Sequence, residues 1–142
     1  MRVQRVMTGV VAAAACAAAV TCGGGSSGSS NPSGPTTGTP ACTAPSTSTT
    51  ITIANNTVCP QNITVPRGTQ VTFVNQDTVA HEMNSDPHPE HTDCPEINAV
   101  GHLEPGGQSR RTDNLNTVRR CGFHDHLRDQ VQTLKGSITI TQ

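Results

Sequence analysis

A chain of 142 residues is long enough for one domain and too short for two. Its formal net charge of −1, with 13% charged residues, leaves no electrostatic footprint for nucleic acid and suggests no acidic partner. Trp and Tyr are absent and Phe occurs only at Phe73 and Phe123, so any core is small and built from Val, Ile and Leu, and a metal or a disulfide would add to its stability.

Residues 1–22 have the form of a lipoprotein-type export signal. Arg2 and Arg5 give the positive start, and Val6 to Val20 is an apolar, Ala-rich stretch of h-region length. It is too short for a transmembrane helix. Cys16 follows Ala13-Ala14-Ala15, and Cys22 opens a Gly/Ser tether. The fuller apolar stretch favours Cys22 as the lipidated residue. This places the product outside the cytoplasm, anchored by a lipid and facing a periplasm or the cell exterior. Residues 23–47 are Gly, Ser, Thr and Pro with almost nothing apolar, a composition that cannot repay the entropy of ordering. As a coil, such a linker spans roughly 25–30 Å. Cys42 lies within it and has no evident role.

From Ser48 the pattern changes to alternation, and residues 48–142 read as the folded domain. Thr50-Ile51-Thr52-Ile53, Gln70-Val71-Thr72-Phe73 and Ser137-Ile138-Thr139-Ile140 alternate polar with apolar, β-branched residues, the mark of half-buried strands. Asn55-Asn56, Pro66-Arg67-Gly68, Pro105-Gly106-Gly107 and Gly136 punctuate them. No long segment has a helical period. An all-β Greek-key sandwich or barrel follows. Asn84 to Gly101 has no strand pattern and reads as a long loop, a length usually tied to function.

Three clusters carry chemistry: Val79-Ala80-His81-Glu82-Met83, His88-Pro-Glu-His91-Thr-Asp-Cys94 and Cys121-Gly-Phe-His124-Asp-His126. They hold five of the six histidines. Cysteine with imidazole suits copper, zinc or iron far better than magnesium or calcium. The order of motifs resembles the cupredoxin family. The stretch Asn62 to His81 resembles the family's Gly turn, V-x-F-x-N strand and first histidine ligand. Leu103-Glu-Pro-Gly-Gly-Gln-Ser resembles its L-x-P-G-x-S turn, Cys121 its ligand cysteine at the end of the penultimate strand, and Leu134-Lys-Gly-Ser-Ile-Thr-Ile its last strand.

The resemblance implies one copper ion held by His81 and Cys121, with His124 by a Cys-x2-His spacing or His126 by a Cys-x4-His spacing, or both. The usual axial Met is missing, and Leu134 sits near its place. The implied function is one-electron transfer, without enzymatic activity, to a partner docking near the ligand loop. Two other functions compete. One is copper storage or delivery, suggested by the extra histidines. The other is a copper–zinc superoxide dismutase, suggested by Gly122-Phe-His-Asp-His. Only 16 residues follow His126, none of them His, which leaves no room for that enzyme's downstream ligands.

Outside this site, an exported chain is disulfide-permissive. Cys59, before a strand, and Cys94, at the end of the long loop, are expected to pair; closing about 35 residues this way is worth about 3–4 kcal/mol. The alternative makes Cys94 a metal ligand with His88 and His91. These two histidines read either as solvated loop residues or as a second, weaker metal site, with Asp86, Glu90 and Asp93 as neighbouring hard ligands.

Overall fold

A computed structural model of the chain describes residues 42–142. The expected signal segment, Cys16, Cys22 and most of the linker lie outside them. Nine strands form two sheets: β1 Thr50–Ala54, β2 Thr57–Cys59, β3 Asn62–Pro66, β4 Thr72–Asn75, β5 His81–Ser85, β6 Gly101–Leu103, β7 Gln108–Arg111, β8 Arg120–Asp125 and β9 Gly136–Thr141. One sheet has the order β2-β1-β4-β7, the other β3-β9-β8-β5-β6. The helical content of the described residues is three short 3-10 turns.

Alternation in the sequence becomes alternation in burial. Ile51 and Ile53 of β1, Ile63 and Val65 of β3, and Ile138 and Ile140 of β9 face the core, as strand geometry requires of residues two apart. Phe73 and Phe123 meet edge to face in the middle, 5.2 Å between ring centroids. They join the two sheets and are both fully buried. Asn55 and Asn56 both have positive φ, 52° and 53°, and they form the two-residue turn between Ala54 and its partner Thr57. Asparagine tolerates this left-handed pair, which suits a tight hairpin. Parallel pairing of β1 with β4 and of β3 with β9 sets the crossovers of the sandwich.

Buried Asn75, at the end of β4, fixes the approach to β5. Its side-chain amide lies 2.9–3.0 Å from the carbonyl oxygens of Val79, Leu103 and Glu104, and its Oδ1 accepts from the Asp77 amide at 2.9 Å. The long connection from β5 to β6 begins after Ser85 and includes a 3-10 turn at Pro95–Ala99, which buries Ile97.

The expected Cys59–Cys94 pairing is corrected. Cys59 bonds to Cys42, with Cα atoms 5.4 Å apart, and Cys94 bonds to Cys121, with Cα atoms 5.8 Å apart. Cys42 thereby gains a role that composition does not reveal. The segment it begins continues along the domain, where the Ser46 carbonyl accepts from the Thr64 amide at 2.7 Å. Cys94 and Cys121 are completely buried within the core.

Candidate metal centre

Strand β8 and the loop after β5 together build the site. Period-two geometry turns Cys121, Phe123 and Asp125 to one face of β8 and Gly122 and His124 to the other. His124 is nonetheless only 1% exposed, because the loop that carries His88 and His91 lies against it. His126 follows at the start of a 3-10 turn, His126–Arg128, whose first free amide, that of Leu127, is accepted by the Asp125 carboxylate.

Four histidines converge here. One ring nitrogen from each of His88, His91, His124 and His126 lies within 4.8 Å of the other three. Five of the six ring pairs have centroids 4.8–5.9 Å apart. His91 Nε2 and His126 Nδ1 approach to 3.1 Å. Nε2 of buried His124 has no hydrogen-bond partner among the described residues. An unpaired buried imidazole nitrogen costs free energy, and a cation shared by the four rings would satisfy it. Burial, and then the positive charge of His124, His126 and His88 when protonated, hold His91 below the usual imidazole pKa, a shift that favours the neutral ring, the form that can ligate a metal. A set of four imidazoles fits a late first-row ion such as copper or zinc and does not suit magnesium or calcium.

The loop is held in several ways. His91 adopts φ 54°, a conformation disfavoured for a residue with a side chain. Its amide donates to the Pro87 carbonyl at 2.8 Å. Its carbonyl accepts from Asn98 Nδ2 at 2.8 Å, while Asn98 Oδ1 accepts from the Ser85 amide at 2.9 Å. Asn98 thus ties the loop to the end of β5, and the Cys94–Cys121 disulfide ties it to the start of β8.

The expected ligand pair is not brought together. Cys121 is the second residue of β8, not its last, and its sulfur is bonded to Cys94. Only a free thiolate ligates a metal in the expected way, so this sulfur is removed as a donor. The same bond removes Cys94 as a ligand alongside His88 and His91. The strand ends four residues later, about 13 Å further on, at Asp125. That carboxylate holds His81: Asp125 Oδ2 lies 2.7 Å from His81 Nδ1, and Asp77 Oδ2 lies 3.2 Å from His81 Nε2. Both ring nitrogens of His81 are therefore engaged, and His81 is not one of the four clustered histidines. By the alternation along β8, the His81–Asp125 pair and the four-histidine cluster lie on opposite faces of that strand. The choice between His124 and His126 is also redrawn, since both sit in the cluster, as do the loop histidines His88 and His91. Of the three carboxylates named with that loop, Asp86 reaches a cluster histidine, with Oδ1 2.7 Å from His124 Nδ1, and Asp93 accepts from the Gly122 amide at 3.2 Å. Asp125 and Asn98 carried no signal in the sequence beyond their residue types.

Two sheets in this order, with a parallel pairing in each, define the cupredoxin fold, and comparison with solved structures agrees. A mutant plastocyanin of fern matches over 65% of this chain and 99% of its own, at 19% identity and a TM-score of 0.53. The oxidized plastocyanin of Dryopteris crassirhizoma matches over 65% and 99%, at 20% identity and 0.52. A purple cupredoxin from Nitrosopumilus maritimus matches over 65% and 98%, at 19% identity and 0.50. No family model matches the chain, and neither does any curated protein sequence.

Proposed function

We propose that this chain is an extracytoplasmic copper protein whose single ion is held by His88, His91, His124 and His126, and whose chemistry is one-electron exchange between Cu(I) and Cu(II). The observation that carries the reading is the convergence of four imidazole nitrogens within 4.8 Å on a strand and a doubly anchored loop. Imidazole accepts both oxidation states, and a rigid frame limits rearrangement between them. The fold supports the same direction: similar structures are plastocyanins, one of them described in oxidized and reduced forms. Two disulfides suit an oxidising compartment, in keeping with export; a lipid on Cys22 belongs to the same proposal and rests on the sequence. A redox partner would dock near the loop that carries the histidines.

Holding or delivering copper is the second reading. The side chain of His88 is 37% exposed, so the ion would be within reach of an acceptor, and the four cysteines among the described residues are all in disulfides and offer no thiolate to retain it. The experiment is a copper titration of the full chain followed by voltammetry. One equivalent bound, with a reversible one-electron wave, supports the carrier. One equivalent bound without such a wave, and passed readily to a chelator, supports delivery. No binding overturns both.

A further inference from the structure

We propose that Asp86 is the positioning residue that presents Nε2 of His124 to the metal, and that Gly122 exists as glycine to admit it. This rests on the four-histidine reading of the centre.

Asp86 Oδ1 lies 2.7 Å from His124 Nδ1. A carboxylate accepts and does not donate, so the ring carries its proton on Nδ1 and leaves the lone pair on Nε2. Nε2 is the buried atom without a partner among the described residues. A carboxylate behind a ligand imidazole fixes its tautomer and orientation and raises its basicity. Among the described residues the other three histidines lack this support: His88 Nε2 is 4.0 Å from Asp129, too far for a hydrogen bond, and His91 and His126 face each other.

Asp86 is itself fixed by the strand it serves. Its amide donates to the Gly122 carbonyl at 3.1 Å, and its carbonyl accepts from the Asp93 amide at 2.8 Å. The Asp93 carboxylate accepts from the Gly122 amide at 3.2 Å, so the loop grips both polar groups of one glycine. A Cβ at residue 122 would fall on the Asp86 carboxylate. Gly122 is not among the glycines with positive φ. The backbone there does not require glycine; the space occupied by Asp86 does.

The test is Cu(II) affinity by competition titration for the full chain and for Asp86→Ala, Asp86→Asn, Gly122→Ala and His124→Ala. The tautomer of His124 is read by nitrogen-15 NMR of the metal-free native protein. The expected tautomer is Nδ1–H. Asp86→Ala should weaken Cu(II) binding about 10–100-fold. Asp86→Asn should recover part of the loss, because its amide oxygen accepts the same hydrogen bond without the charge. Gly122→Ala should behave like Asp86→Ala. An Nε2–H tautomer in the native protein overturns the proposal. So does native-like affinity in Asp86→Ala where His124→Ala loses binding, and the four-histidine centre then stands. Native-like affinity in His124→Ala removes the centre itself. If Asp86→Ala fails to fold, the affinity of Asp86→Asn and the native tautomer decide.

Discussion

The carboxylate of Asp125 lies 2.7 Å from Nδ1 of His81, and neither side chain is exposed at all. Asp125 closes β8 at the strand-end position where the sequence resemblance expects a ligand cysteine. It also accepts from the amides of Glu82 and Leu127 and sits 3.5 Å from the Arg128 guanidinium. A buried pair at the centre of such a network acts on the fold.

Replacing His81 with Ala should therefore leave metal binding near the native value and cost stability. Breaking a buried pair by removing one partner costs about 3–5 kcal/mol. The two amides and Arg128 still satisfy Asp125, which places the expected loss near the lower figure, about 3 kcal/mol. Urea unfolding of the metal-free protein measures the loss, and copper titration measures the binding. Lost binding with unchanged stability would return His81 to the metal site.

The disulfide makes an optical prediction. With Cys121 bonded to Cys94, the copper-loaded protein should lack the intense visible band of a thiolate–copper bond. An intense band that disappears in Cys121→Ser would restore the cysteine as a ligand. Replacing both cysteines with Ala removes a link across 27 residues of chain and should cost about 3.5 kcal/mol by loop entropy, read from the shift in the urea midpoint. It should also weaken copper binding, because that link anchors the loop carrying His88 and His91.

Single substitutions His124→Ala and His126→Ala should each weaken copper binding, and neither should be silent. The loss for buried His124 should exceed the roughly 100-fold upper value typical of an outer-shell partner. The spacing rules Cys-x2-His and Cys-x4-His left His124, His126 or both as ligands. The geometry makes them members of one cluster. Native-like affinity in either variant would restore the choice.

What the sequence made legible follows from the range of each signal. Period-two alternation is local, so β1, β4 and β9 could be read directly from their β-branched runs, and the cupredoxin arrangement from the order of the motifs. Disulfide partners are set by three-dimensional proximity, which the sequence does not report: its pattern points Cys59 to Cys94, and composition leaves Cys42 in a linker without a role. The ligand cysteine was misplaced for a similar reason. Cys121 matched by its residue type and its spacing to His124 and His126, and neither reports that β8 runs on to Asp125 or that the sulfur is bonded to Cys94. Only the strand's end, fixed by the pairing of Met83 with Asp125, shows which residue occupies the position. The meeting of His88 and His91 with His124 and His126 depends on how a patternless loop folds back, which no periodicity reports.

Acid should expose the part played by Asp77. Partial burial pushes its pKa up, but the Asn56 amide, 2.8 Å from Oδ2, and His81 outweigh that and hold it below 3.8. A carboxylate whose folded pKa is depressed contributes stability above its unfolded value, and that contribution is lost as pH falls through the folded value. Asp77→Asn removes the charge and nearly preserves the shape. The variant should be less stable than the native protein at about pH 7, and the gap should close as the pH falls below about 4. Urea unfolding of both proteins across that range, without metal, measures the gap. A gap that stays constant down to about pH 3 would show that the folded protein does not favour the charged form of Asp77. The turn between β4 and β5 would then be held by Asn75 and the Asn56 amide without help from that charge.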